Sequence, residues 1–260
     1  MEPIFVLFDV AAAALLVMWL VKLLRPTHHL FHAWRARLAV AAALLIGIGV
    51  IAYVLTHWAS FDVVDDPYYV IGYASLGLLW LTGATMLQAL VADVRLQQDV
   101  RDRNNLAAGI ALGGLLLANA AAYAGGNVGD GPGWQVVLFS VSLSIGTVTA
   151  AMGLIAATSD SEERITIDHD VGAALRFAAV AIATGVIAGR AAAGDWVSME
   201  DTARDFAAVA WPVVPLVVVA VVNERMAPPG YADPNALRSI LFVAIVIGMV
   251  FAYVDGLGTP

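Results

Sequence analysis

The chain contains no cysteine, and Lys22 is the only lysine among its 260 residues. The absence of cysteine excludes disulfide bonds and thiolate metal sites. Because Lys22 lies at the end of an apolar run and not within one, a retinal Schiff base in mid-membrane is also excluded. The sequence has no His-Glu-x-x-His, Gly-x-Ser-x-Gly or phosphate-binding motif. We therefore predict no enzymatic activity and no cofactor.

Charged residues are scarce, at 13% of the chain, and the net charge of −8 argues against nucleic acid as a partner. Hydrophobic residues make up 61% of the chain, and its mean hydropathy is +0.83. Such apolar runs fit membrane spans of about 20 residues each, with the lipid bilayer as their surroundings. None of the runs alternates with period two, so helices are expected. Eight spans are predicted, at about 4–24, 38–58, 69–91, 106–125, 134–157, 171–191, 206–222 and 235–254.

The even-numbered apolar runs begin at nearly equal intervals along the chain, at Arg37, Asn105, Asp170 and Asn235. A fixed period indicates one unit copied along the chain. The sequence thus predicts an all-α polytopic membrane protein, a single integral domain over 1–260. Its four tandem two-helix repeats are placed at about 1–60, 66–126, 132–196 and 203–256. Small residues dominate spans two, four and six, which we expect to pack closely within one chain or between protomers of a homo-oligomer.

The basic residues are distributed unevenly between the two ends of the predicted hairpins. Eleven of the thirteen Lys and Arg residues lie where odd spans join even ones, and only Arg190 and Arg204 lie at the opposite end. Because positive loops face the cytoplasm, both termini are predicted outside it. The start Met1-Glu2-Pro3 has no basic segment before its apolar run, so the first span is predicted to be retained.

The strongest local motif opens span four. Asn105 stands where an N-cap residue would accept a bond from a free backbone amide. Gly109 and Gly113 follow one helical turn apart, a spacing that lets another helix approach closely. Asp170 and Asn235 hold the same place in later repeats. Capping with tight packing is one interpretation, and a ring of polar caps at a cytoplasmic vestibule is the other.

The segment 104–126, with a weaker echo at 167–196, resembles the bacterial inner-membrane family called domain of unknown function 350, the YjfL-like proteins. In that family Asn-x-Ala-Ala, followed by a glycine, opens the even helices of duplicated helix pairs. The first copy here has Arg37 in place of Asn, the third has Asp170, and the fourth lacks the paired Ala and the Gly. The resemblance implies a multi-pass protein of the bacterial cytoplasmic membrane without an established activity. It also implies a role in membrane maintenance, with a cytoplasmic membrane-remodelling partner.

Few polar side chains lie inside the predicted spans. Asn119 is near the middle of span four, and Ser140, Ser144 and Thr147 follow one face of span five. Intramembrane polar groups either line a solute path or bind helices together. Arg176, about two turns into span six, is expected to bind a lipid phosphate or an anion, or to extend to the interface.

Two further features allow alternative interpretations. On a helix, His28 and His32 would share a face at a metal-binding spacing, with His29 beside them, but no carboxylate lies nearby. We predict an interfacial amphipathic segment there and no metal. Pro212 and Pro215 in span seven either line a binding site or produce an ordinary kink.

Two classes of function are compatible with these features. The first is a structural or scaffolding protein for membrane and envelope maintenance, which short loops and few buried polar groups favour. The alternative is a channel or transporter for a small solute or ion, which Asn119, the Ser and Thr residues of span five and the prolines of span seven favour.

Overall fold

The computed structural model describes residues 3–25, 34–226 and 236–258, which are helical apart from loops and one isolated bridge between Ala59 and Gly129. A π-helical turn occupies Leu96–Asp102. The helices are α1 (Pro3–Leu24), α2 (Arg35–His57), α3 (Phe61–Val64), α4 (Pro67–Val91), α5 (Leu106–Gly125), α6 (Trp134–Thr158), α7 (Ser161–Thr166), α8 (Val171–Ala192), α9 (Met199–Ala210), α10 (Val213–Arg225) and α11 (Ala236–Leu257).

Seven of the described helices are long and apolar enough to cross a membrane. Helices α9 and α10 pass the same test together, although they are bent by 42° at their junction, which gives up to eight spans. The fold prediction is therefore confirmed: the protein is an all-α polytopic membrane protein.

The prediction of the seventh span as one helix over about 206–222 is wrong in detail. The structure has two helices that meet at Trp211 and Pro212. Proline lacks a backbone N–H, and its ring clashes with the carbonyl four residues earlier, so a helix bends or breaks there. Pro215 lies in the first turn of α10, where a missing N–H has no cost. The first half extends back to Met199, capped by the Ser198 hydroxyl.

The spans form two rows. Helices α2, α5, α8 and α11 lie side by side in chain order, and α1, α4, α6 and α10 form a second row packed over them. Helix α5 is the most enclosed, with 78% of its most apolar stretch buried, against 17% in α1. The centre of the protein is therefore the contact of α5 with α2 on one side and with α8 on the other.

Small residues make these central contacts close. A Cβ atom on Gly109 would lie 2.6 Å from the carbonyl oxygen of Ala36 in α2, and one on Gly113 would lie 3.3 Å from the Ala43 Cβ. On the opposite side of α5, a Cβ on Gly114 would lie 2.5 Å from the backbone of Ala178 in α8. The expected close approach at Gly109 and Gly113 is thus confirmed, and the contact is with α2. Van der Waals packing of backbone on backbone is the main attraction available between helices in lipid.

Loops from neighbouring helix pairs meet at both ends of the protein. At the end called here the basic end, the Asn105 side chain donates to the Ile165 carbonyl. At the other, the acidic end, the backbone amides of Gly194 and Trp196 donate to the carbonyls of Val128 and Asp130. These contacts hold successive helix pairs in a fixed order.

Candidate functional site

Asn105 and Asp170, the two predicted cap residues that the structure describes, lie at the basic end. The side chains of both bind other groups of the protein. The Asn105 oxygen accepts from the Ala108 amide at 3.2 Å, and its Nδ2 donates to the Ile165 carbonyl at 2.6 Å. Asp170 accepts from the Ala173 amide at 3.0 Å and so caps α8. Both therefore cap a helix, and Asn105 also ties α5 to α7. Asn235, like the His28, His29 and His32 cluster, lies outside the described residues.

The loops before these two caps have the same local geometry. Asn104 and His169, each directly before its cap residue, are left-handed, with φ of 49° and 57°. Such a conformation is uncommon in residues other than glycine. The cap residue, Asn105 or Asp170, donates its backbone amide at 2.8 Å to the carbonyl six residues earlier, which lies in the π-helical turn or in α7. At the acidic end, Gly129 and Gly194 are separated by the same interval as the two caps and have φ of 111° and 140°.

A buried polar network joins α4, α5 and α6. The Asn119 Nδ2 donates to the Gln88 Oε1 at 2.8 Å and to the Thr85 Oγ1 at 2.9 Å. The Gln88 Nε2 donates in return to the Asn119 Oδ1 and to the Thr149 Oγ1, both at 3.0 Å. Each amide group has two N–H donors, and all four bind protein atoms. Asn119 therefore lies in a closed set of hydrogen bonds between helices.

Unlike Thr149, the three candidates on α6, which are Ser140, Ser144 and Thr147, do not join the Asn119 network. The Ser144 hydroxyl donates to the Ala122 carbonyl of α5 at 3.0 Å, and Thr147 donates to Leu143 of its own helix at 2.8 Å. Ser140 instead lines a cavity of about 80 Å³ at the acidic end. The four intramembrane candidates thus occupy separate environments and form no single site in the structure.

A charged cluster is buried between α8 and α10, toward the basic end. The Arg176 guanidinium binds the Glu224 carboxylate in bidentate geometry, through Nε to Oε1 at 2.5 Å and Nη2 to Oε2 at 2.9 Å. Arg176 is 3% exposed and Glu224 is 7% exposed. From the sequence, Arg176 is expected to bind a lipid phosphate or an anion, or to extend to the interface; in the structure it binds a carboxylate of its own chain.

Three more residues complete this charge cluster. The Arg164 Nη1 donates to the Glu224 Oε2 at 3.2 Å, and the Arg164 Nε lies 3.6 Å from the Asp170 Oδ2. The Ser239 hydroxyl of α11 accepts from the Arg176 Nη1 at 2.5 Å. Two arginines therefore face two carboxylates, which is the balance that buried charges require. The cluster joins α7, α8, α10 and α11.

Sequence reasoning identified Arg176 and missed its partner. Glu224 lies two helices later in the chain, on the last turn of α10, where the sequence predicts a loop. The available signal was general: a buried arginine needs a carboxylate or another acceptor. Among the described residues, no group of three or more His, Asp or Glu side chains could hold a metal ion.

The part of the chain that carries most of these residues matches a known protein family. Residues 62–192 match the family described as Domain of Unknown Function (DUF350). The matched region contains Asn105, Asn119, Asp170 and Arg176, and it ends before Glu224. Comparison with curated proteins and with solved structures gives no match.

Proposed function

The chain belongs to the Domain of Unknown Function (DUF350) family, and from that premise we propose that it is a structural or scaffolding protein of the membrane. We infer a bacterial cytoplasmic membrane from the family resemblance. The distribution of Lys and Arg supports an orientation with the basic end inside and both termini outside. In this proposal the protein is not an enzyme and needs no cofactor. Its basic end, with ordered loops before α5 and α8, is the surface offered to a cytoplasmic membrane-remodelling partner.

We also propose that the single domain consists of four helix-pair repeats. Equivalent features recur at the same interval along the chain. The left-handed residue Asn104 recurs as His169, and the cap Asn105 recurs as Asp170. The side-by-side order of α2, α5, α8 and α11 is the arrangement expected when one unit is copied and each copy stacks on the last.

The observation that carries the scaffold proposal is the closed network around Asn119. A solute path needs polar groups free to replace lost hydration. All four amide N–H donors of Gln88 and Asn119 instead bind Asn119, Gln88, Thr85 and Thr149. Such groups add stability between helices and offer nothing to a passing ion.

Flux in liposomes containing the pure protein tests this proposal. We expect no ion or solute flux above that of protein-free liposomes. Asn119→Leu should lower the free energy of unfolding in detergent by about 0.6 to 2 kcal/mol. The matched control is Thr184→Val on α8, since Thr184 holds the place of Asn119 in the next repeat and its buried Oγ1 has no hydrogen-bond partner in the described part of the chain. We expect this control to leave stability unchanged or slightly higher. Robust wild-type flux that Asn119→Leu abolishes would overturn the proposal.

A channel or transporter for a small solute or ion is the second candidate, and one observation favours it. The bent pair α9–α10 resembles the discontinuous helices that form transporter sites, and α10 carries the buried Glu224. The same liposome assay separates the candidates, because flux through this region should respond to Glu224→Gln. Flux that Glu224→Gln changes and Asn119→Leu leaves intact would favour the transporter.

A further inference from the structure

A long apolar groove runs along the face of α8 and α11 that the second row leaves open. It consists of two cavities of about 450 and 540 Å³, which share Val186 and Val254 and are therefore continuous. The first cavity begins near Leu175, and the described residues that line it all have aliphatic or aromatic side chains. The second cavity, which residues of α2 and α5 also line, reaches the acidic end at Arg190 and Gly258.

Unequal side chains explain why this groove exists. Helix α8 presents alanines there, such as Ala178 and Ala183, and α11 presents larger residues such as Ile247 and Phe251. Phe251 is 73% exposed, so this face of α11 points away from the protein. In a membrane, such a surface is in contact with acyl chains.

One end of the groove carries charge. Arg190 lines the second cavity, and its buried Nε has no hydrogen-bond partner among the residues that the structure describes. The Arg190 Nη2 makes one long contact of 3.4 Å, with the Gly258 carbonyl. Asp255 lines the same cavity, yet no ion pair joins it to Arg190 among the described residues. Trp58, a residue type enriched at membrane interfaces, lines this mouth too.

The length of the groove matches one leaflet. From Leu175 to Arg190, fifteen residues at about 1.5 Å each span roughly 22 Å along α8. A bilayer is about 40–45 Å thick including its headgroups, so one leaflet has about the same thickness as the groove is long. The charged mouth then lies at headgroup level and the apolar part at acyl-chain level.

We propose that this groove is a binding site for a phospholipid with a phosphoethanolamine headgroup, in the leaflet at the acidic end. One acyl chain fills the space between α8 and α11. The phosphate accepts charge-assisted hydrogen bonds from the Arg190 guanidinium, including its unpaired Nε. The ammonium of the headgroup faces Asp255. A zwitterionic headgroup thus matches a mouth that carries one charge of each sign.

Lipid titration of the delipidated protein tests this site. The probes are phosphatidylethanolamine and phosphatidylglycerol, and native mass spectrometry counts the bound lipids. We expect Arg190→Gln to weaken phosphatidylethanolamine binding about tenfold, the equivalent of about 1.4 kcal/mol. Arg204→Gln is the matched control, because Arg204 also lies at the acidic end, exposed and paired with Glu200 and Asp201. The Arg204→Gln variant should bind phosphatidylethanolamine like the wild type. An equal loss of lipid affinity in both variants would overturn the proposal.

Two further variants test the acyl and amine contacts separately. Val186→Trp fills the groove where its two cavities join and should abolish tight binding of either lipid. If Val186→Trp instead leaves lipid binding unchanged and converts a dimer to a monomer, a second copy of the chain covers the groove and the proposal is wrong. Asp255→Asn should remove the preference for phosphatidylethanolamine over phosphatidylglycerol. The headgroup assignment fails if the wild type shows no such preference.

Discussion

Helix α8 packs against α5 on one side and α11 on the other, and the two contacts are made in opposite ways. Toward α5, glycine and alanine face glycine and alanine: Gly114 meets Ala178, and Gly125 meets Gly189. Toward α11, small residues of α8 face large ones, and a groove remains between the helices. Lipid provides no hydrophobic force that would close such a gap. Close approach therefore depends on small residues being present on both helices.

Polar bonds near both ends help to hold the last hairpin, in addition to its apolar contacts with the core. Ser239 binds Arg176 at the basic end of α11, and the neighbouring Arg238 donates to Asn223 of α10. Near the acidic end, the Tyr253 hydroxyl donates to the Val209 carbonyl of α9. Close packing of small residues thus fixes the centre of the protein, whereas hydrogen bonds and ion pairs supplement the apolar contacts of the last hairpin.

The largest expected effect comes from a side chain added at the centre. A Cβ on Gly185 would overlap the backbone of Ala118 in α5, so Gly185→Leu should force the helices apart. We expect a loss of about 3 kcal/mol or more, or no folded protein, since overpacking of this kind is costly. Gly248→Leu on α11 is the control, because no atom of the described residues lies within 4 Å of its Cβ position. Thermal unfolding in detergent measures the stability of both variants. Equal melting temperatures would contradict the conclusion that α8 packs more closely on α5 than on α11.

A smaller effect is expected from the charges that hold the last hairpin. Glu224→Gln leaves Arg164 and Arg176 buried with too little negative charge, which should cost about 3 kcal/mol. Adding Arg176→Met should recover part of this loss, because it removes an uncompensated charge. The surface control Glu200→Gln should change the free energy of unfolding by less than about 1 kcal/mol. If Glu224→Gln and Glu200→Gln melted alike, ion pairing would not hold this hairpin.

Local signals predicted much of the fold. Helix α5 runs from Leu106 to Gly125, as predicted, because an apolar run and the Asn105 cap both mark its start. Helix α7 and the π-helical turn were missed, since short polar segments show no periodicity. The pairing of Arg176 with Glu224 also could not be predicted, because it depends on how α8 and α10 pack. The groove beside α11 likewise arises only from tertiary packing.

The smallest expected effect concerns the loops at the basic end of the central helices. Burial, followed by repulsion from Asp93 and Glu163, raises the pKa of Glu162 in α7. A raised pKa means that the fold favours the protonated form. The resulting stabilisation is complete below the ordinary pKa of about 4.3 and is lost as pH rises through the higher folded-state pKa.

Glu162→Gln, which keeps the neutral shape at every pH, tests this effect. At pH 7 we expect the variant to be more stable than the wild type by less than about 1 kcal/mol, as for other partly exposed charges. The difference should shrink as pH falls toward 4, because the wild-type carboxylate then becomes protonated. Melting curves of both proteins at several pH values measure it. A difference that stays constant with pH, or a variant less stable at pH 7, would mean that Glu162 is stabilising as a carboxylate. The loops of the centre would then depend on charge, as the last hairpin does.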